Sequence, residues 1–151
     1  MLPDQQSEED SSYLTPFSKA TLTGLFVGII ATLVCLVYNI LYREQTGFSL
    51  SEIINVSSVI FMVNLLFVVL GVIYYWFIRA FRKGAIWYAV ALLLLTAFVF
   101  MKSLAVQRTA DPLLNAEFQH LLAAIVLIAG VAGALGIPFL FYNKKFEQHV
   151  L

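Results

Sequence analysis

Four long runs of apolar residues, separated by short polar segments, dominate the chain. At a rise of about 1.5 Å per residue, each run is long enough as a helix to cross a hydrocarbon core of about 30 Å. The third run is the shortest, and it extends past Lys102 because a lysine near a helix end can reach the membrane surface. The pattern predicts an all-α integral membrane protein, with four transmembrane helices in two antiparallel hairpins. The predicted spans are about 20–42, 53–78, 85–105 and 118–142.

Capping residues indicate where three of these helices begin. Thr15 followed by Pro16 reads as an N-cap with proline in the first helical position, and Asp111-Pro112 repeats this pattern before the fourth helix. Ser49 to Glu52 matches a capping box, which assigns Glu52 a structural role at the start of the second helix.

Small and polar residues recur at helical spacings and form stripes on three of the helices. In a membrane such stripes let backbones approach closely, because lipid gives no hydrophobic drive for association and packing must supply the contact energy. We interpret them as faces that pack within the chain, with a face for a second copy or a partner subunit as the alternative. The stripe residues are Gly24, Gly28, Thr32, Cys35 and Asn39 in the first helix, Ser57, Asn64 and Gly71 in the second, and Gly130, Gly133 and Gly136 in the fourth.

Asn64 is the most polar residue near the middle of the membrane. Counted from the helix ends, Thr32 and Thr96 lie at a similar depth, as do Gly130 and Gly133. We therefore predict that Asn64 forms a hydrogen bond to a neighbouring helix. A substrate-binding amide is the alternative role.

The last two helices differ in character. The third is apolar nearly all round, with leucine at each position from Leu92 to Leu95, so we expect it to face lipid more than the others. The fourth is rich in alanine and glycine and contains Pro138 near its end, which predicts close packing and a kink.

The basic residues are distributed unequally between the two ends of the predicted bundle. Six lie at the end that holds both termini and the central turn, against three at the other end (Lys19, Arg79, Arg82, Lys83, Lys144 and Lys145; Arg43, Lys102 and Arg108). The positive-inside rule therefore predicts cytoplasmic termini in a plasma membrane, or an inner membrane if the source is bacterial. Trp76 and Trp87 flank the basic turn and fit an aromatic belt at that surface. Residues 1–15 are predicted to form a disordered acidic tail and 146–151 a short cytoplasmic tail.

Composition excludes several classes of protein. The chain is 61% hydrophobic and 12% charged, far from a typical soluble domain. Nine basic and nine acidic residues cancel, so there is no basic field for binding nucleic acid. Cys35 is the only cysteine, so an intramolecular disulfide cannot form.

Candidate chemistry is sparse. Glu117 and His120 have the Glu-x-x-His spacing of di-iron bundles, but those sites need a second such pair and further carboxylates. We therefore predict no catalytic residue, metal or cofactor. Together with Glu52 and Lys102, these two residues form a charged group at the end away from the termini, which is either a solvated rim or a site for a ligand.

The sequence favours a non-enzymatic membrane protein that acts through helix–helix contacts, as an accessory or scaffold subunit or as a homo-oligomer. Its expected partners are membrane lipids and other transmembrane helices. A small transporter or channel, using the polar layer at Asn64 and Thr32, is the alternative, and a membrane enzyme using Glu117 and His120 is the third class. No motif selects a family, because many unrelated groups share a four-span plan.

Overall fold

The structure, a computed structural model, describes residues 14–47, 55–108 and 110–151. These residues form helices joined by short turns, and four stretches are long and apolar enough to cross a membrane: α1, α2, α3 and the continuous run Pro112–Phe141. The predicted all-α fold with four transmembrane helices is confirmed. The elements are α1 (Pro16–Thr46), α2 (Val56–Ala80), α3 (Gly84–Ser103), α4 (Pro112–Val131), a π-helical turn (Ala132–Gly136), α5 (Ile137–Phe141) and α6 (Lys144–Val150).

The helix ends follow the capping residues where the structure describes them. The Thr15 hydroxyl accepts a hydrogen bond from the Ser18 amide at 3.2 Å, and the Asp111 carboxylate caps the start of α4. Gly47 ends α1 with a φ of 66°, a left-handed conformation that glycine adopts without a steric penalty. The α2 helix begins at Val56, and its N-cap is Asn55, whose side chain accepts from the Ser58 amide at 2.7 Å. The capping box predicted at Ser49 to Glu52 lies outside the described residues.

The α1 and α2 helices pack so closely that their backbones touch. A Cβ atom added to Gly24 would lie 2.6 Å from the Phe67 carbonyl oxygen, and one added to Gly71 would lie 2.8 Å from the Ala20 carbonyl oxygen. Only glycine leaves room for this approach. The first hairpin is therefore held by its small residues.

The helices alternate in direction, so the bundle has two distinct ends. We call the end that holds the start of α1, the α2–α3 turn and α6 the terminal side, and the opposite end the loop side. At the loop side, the Tyr42 hydroxyl near the end of α1 donates a hydrogen bond to the Glu117 carbonyl in α4 at 3.0 Å. At the terminal side, Gly84 packs against the backbone of Phe77 and Ile78.

The end of the chain folds back onto α1 as the short helix α6, where the sequence predicted only a tail. Phe146 is buried against Phe26, with ring centroids 4.9 Å apart. The Lys19 ammonium forms an ion pair with Glu147 at 2.8 Å and lies 4.9 Å from the centre of the Phe141 ring. These contacts anchor α6 at the terminal side.

The fourth transmembrane run changes register just before Pro138. In the i to i+5 pairing of a π-helix the Gly133 carbonyl would bond to residue 138, and proline has no N–H to donate. The Tyr88 hydroxyl of α3 donates to this carbonyl instead, at 3.3 Å. A group left unpaired by the proline is thus satisfied from the neighbouring helix.

Candidate functional site

The predicted polar contact at mid-membrane is present. The Asn64 side-chain amide donates to the Thr32 hydroxyl at 3.0 Å and to the Ile60 carbonyl at 2.8 Å. The Thr32 hydroxyl in turn donates to the Gly28 carbonyl at 2.7 Å. This chain of hydrogen bonds joins α1 to α2 and consumes the donors of both side chains.

Most of the predicted stripe residues face other helices of the same chain. A Cβ atom on Gly28 would meet Phe67, one on Gly133 would meet Leu70 and Leu92, and one on Gly136 would meet Val27. Gly130 packs directly against the Thr96 side chain. The stripes therefore serve intrachain packing.

Two stripe residues behave differently. Ser57 lies exposed in the first turn of α2, so it takes no part in the packing face that contains Asn64 and Gly71. Asn39 is fully buried in α1, and its amide nitrogen has no hydrogen-bond partner in the part of the chain that the structure describes.

A cavity of about 340 Å³ lies between α2, α3 and α4 and opens at the side of the bundle. On the terminal side of it, α2 and α3 are held together by the contact of Tyr74 with Tyr88, whose ring centroids are 5.0 Å apart. The residues that line the cavity are Met62, Val63, Leu66 and Leu70 of α2, Leu92, Leu95, Thr96 and Val99 of α3, and Ile125, Val126, Ala129 and Gly130 of α4.

The polar layer and the cavity lie on different sides of α2. Leu66 lines the cavity, whereas Asn64, two positions earlier, contacts Thr32 of α1. Residues two apart point in nearly opposite directions on a helix. Asn64 and Thr32 are therefore separate from the cavity.

The residues predicted to form the charged group at the loop side are not joined into a site. Glu52 lies outside the described residues, and Lys102 and His120 are exposed. In residues 55–108 and 110–151, no hydrogen bond or ion pair links the side chains of Lys102, Glu117 and His120. Among the described residues, no group of three or more histidine, cysteine, aspartate or glutamate side chains is arranged to hold a metal.

The predicted anchors lie around the α2–α3 turn. Trp76 and Trp87 are both exposed, as are Arg82 and Lys83, and the Arg79 guanidinium donates to the Tyr75 hydroxyl at 3.2 Å. This arrangement presents charged and aromatic groups together at the terminal side.

No known family model matches the chain, and no curated protein or solved structure gives a significant match to it. The candidate site therefore depends on geometry alone. Sequence reasoning identified the residues of the first hairpin but missed the cavity, because the aliphatic residues that line it look like any other lipid-facing residues in the sequence.

Proposed function

We propose that the protein is a non-enzymatic membrane subunit that acts through contacts of its helices with other transmembrane helices, as an accessory or scaffold subunit or as a homo-oligomer. The observation that carries the proposal is the incomplete packing of α3. Only 17% of the most apolar 18-residue stretch of α3 is buried, against 44% of the corresponding stretch of α1.

The exposed face of α3 has the spacing of a helix-packing surface. Large side chains follow one another at intervals of three and four residues along it: Trp87, Val90, Leu94, Phe98 and Met101. Residues with this spacing share one face of a helix and can interlock with a second helix. The small-residue stripes are already used inside the chain, so this face is the better candidate for contact with another protein.

The test measures assembly of the intact protein in mild detergent by native mass spectrometry. We expect species larger than the monomer, and we expect Leu94→Ala with Phe98→Ala to dissociate them by removing two interlocking side chains. The matched control is Phe61→Ala with Leu65→Ala on α2. This pair also places an exposed Phe and an exposed Leu four residues apart (66% and 49% exposed, against 54% for Phe98 and 68% for Leu94).

A monomer without any co-purifying protein would refute the proposal, and equal effects of the two pairs would remove α3 as the contact face. A bound protein of different sequence would favour the accessory role, whereas a multiple of the chain's own mass would favour the homo-oligomer.

The transporter or channel alternative receives less support from the geometry. It needs a polar path across the membrane, but Asn64 and Thr32 hydrogen-bond to each other and do not line the cavity. Flux in proteoliposomes that disappeared with Asn64→Leu would restore it.

For the orientation, we propose that both termini and the α2–α3 turn face the cytoplasm, in a plasma membrane or a bacterial inner membrane. The excess of basic residues at the terminal side supports this orientation.

A further inference from the structure

The cavity of about 340 Å³ is bordered by residues of three different helices, α2, α3 and α4. A thin, flexible hydrocarbon chain can follow the irregular apolar walls of such a cavity.

The lining of the cavity selects an apolar occupant. Eleven of its twelve residues are apolar, with the small residues Ala129 and Gly130 supplied by α4. The remaining residue is Thr96, whose hydroxyl donates its proton to the Leu92 carbonyl at 2.7 Å. A polar ligand would find no unused donor among these side chains.

A positive charge lies at the loop-side end of the same face of α3. Lys102 follows the lining residues Leu95 and Val99 by seven and three positions, so it lies on their side of the helix, about 4.5 Å further along the axis than Val99. Its side chain is exposed, and its ammonium lies 5.6 Å from the centre of the Phe98 ring. Within the described residues no carboxylate pairs with it.

We propose that this cavity binds one acyl chain of an anionic phospholipid, whose headgroup phosphate lies at Lys102. The chain enters through the lateral opening from the leaflet on the loop side. Apolar contact with the lining then supplies affinity for the chain, and the Lys102 ammonium supplies preference for a negatively charged headgroup. The proposal is independent of the proposed function, because a monomer binds this lipid as well as an assembly does.

The probe is a pair of lipids with identical chains, palmitoyl-oleoyl phosphatidylglycerol and palmitoyl-oleoyl phosphatidylcholine, offered to the intact protein in detergent. Native mass spectrometry counts the lipids retained on each chain. We expect one tightly held phosphatidylglycerol, preferred about fivefold over phosphatidylcholine, the ratio that one lysine near the membrane surface provides.

Filling the cavity tests the position of the acyl chain. Leu66→Trp adds bulk to a lining residue and should remove the tightly held lipid, whereas Leu65→Trp alters the adjacent residue, which does not line the cavity, and should leave it bound. If Leu66→Trp fails to fold, as judged by circular dichroism, Val99→Trp fills the same cavity from α3.

Neutralising Lys102 tests the position of the headgroup. Lys102→Gln should reduce the preference for phosphatidylglycerol over phosphatidylcholine from about fivefold to about onefold, which is no preference. In a Leu66→Trp chain, which has already lost the lipid, Lys102→Gln should not change lipid retention. The control is Lys83→Gln at the opposite end of the bundle, whose effect should be the same with and without Leu66→Trp.

Three results would overturn the proposal. The first is lipid retention that Leu66→Trp and Leu65→Trp change equally, and the second is a headgroup preference that survives Lys102→Gln. The third is a Leu66→Trp chain that keeps its lipid but changes its number of subunits, which would assign the cavity to side chains of a second copy.

Discussion

At the scale of single residues, buried polar groups distinguish positions within an otherwise uniform apolar interior. Tyr74 and Tyr88 illustrate this, because both are buried and their rings are in contact. The Tyr88 hydroxyl donates a hydrogen bond to the Gly133 carbonyl. In the described residues the Tyr74 hydroxyl forms no hydrogen bond of good geometry, and its interaction with the neighbouring Tyr142 side chain is weak. A buried hydroxyl contributes to stability only when it is paired, so the two tyrosines should respond differently to the same change.

We predict that Tyr88→Phe lowers the free energy of unfolding by about 1 kcal/mol, because it leaves the Gly133 carbonyl without a donor. Tyr74→Phe removes a hydroxyl that forms no hydrogen bond of good geometry in the described residues, so it should be neutral or stabilising. Unfolding of each variant by sodium dodecyl sulfate in detergent micelles, followed by circular dichroism, gives the comparison. Equal losses in the two variants would show that the Tyr88 hydrogen bond has no stabilising role.

The contact between Asn64 and Thr32 gives a second prediction at this scale. Asn64→Leu should lower the free energy of unfolding by about 0.6 kcal/mol, the average contribution of a hydrogen bond between helices in a membrane. Thr32→Val also removes the hydrogen bond to the Gly28 carbonyl, so a single variant does not measure the pair alone. A double-mutant cycle of Asn64→Leu with Thr32→Val isolates the energy of the pair. Additive losses in the cycle, measured by the same unfolding experiment, would mean that the two side chains are not coupled.

The two hydrogen bonds also differ in how far they could be predicted from the sequence. Counting residues from the helix ends placed Asn64 and Thr32 at one depth, and depth was sufficient because both side chains lie on the stripes that join α1 and α2. The bond from Tyr88 to Gly133 needs the register shift before Pro138. Proline predicted a kink, but which carbonyl it leaves unpaired depends on the local helical form.

At the scale of elements, the helix pairs differ in how closely they approach. Glycine at Gly24 and Gly71 brings the backbones of α1 and α2 into contact, whereas α2 and α3 touch at Gly84 and border a cavity lined by larger side chains such as Met62 and Leu95. In a membrane the closeness of two helices depends on the size of the residues between them. Added bulk at the contact between α1 and α2 should therefore destabilise the first hairpin.

We predict that Gly24→Ala destabilises the protein by about 1–3 kcal/mol, because the added methyl group would meet the backbone of Phe67 and Gly71. Gly136→Ala is the matched control, because the three nearest neighbours of its methyl group would all be side-chain atoms of Val27, the closest at 2.9 Å, and not backbone atoms. It should cost less than Gly24→Ala. The thermal midpoint of unfolding in detergent checks both, and a larger loss for Gly136→Ala would contradict this account of the hairpin.

Two features at this scale, the α6 helix and the cavity, could not be predicted from the sequence. The α6 helix is only seven residues long, and its position depends on contacts with distant residues of α1. Phe146 packs against Phe26, and Glu147 forms an ion pair with Lys19. The cavity is lined by residues of α2, α3 and α4, so it depends on how three helices pack together. Hydrophobic spacing along one helix contains neither kind of information.

At the scale of the whole molecule, the two ends of the bundle differ in charge and in aromatic content. The terminal side carries six of the nine basic residues, together with the exposed rings of Trp76 and Trp87. Basic residues are retained on the cytoplasmic side during insertion, and the indole rings favour the headgroup region. This charge difference supports the proposed orientation, with the terminal side in the cytoplasm, although the four helices are similar in hydropathy.

This asymmetry predicts which end of the bundle reacts with a membrane-impermeant thiol reagent on intact cells. In a Cys35→Ala background, Gln107→Cys at the loop side should be labelled directly, and Phe81→Cys at the α2–α3 turn should be labelled only after the membrane is permeabilised. Phe81 and Gln107 are both exposed, and neither change removes a basic residue, so the charge difference that sets the orientation stays intact. Labelling of Phe81→Cys alone on intact cells would reverse the orientation, and labelling of both would indicate a dual topology, in which the excess of three basic residues is too small to select one direction.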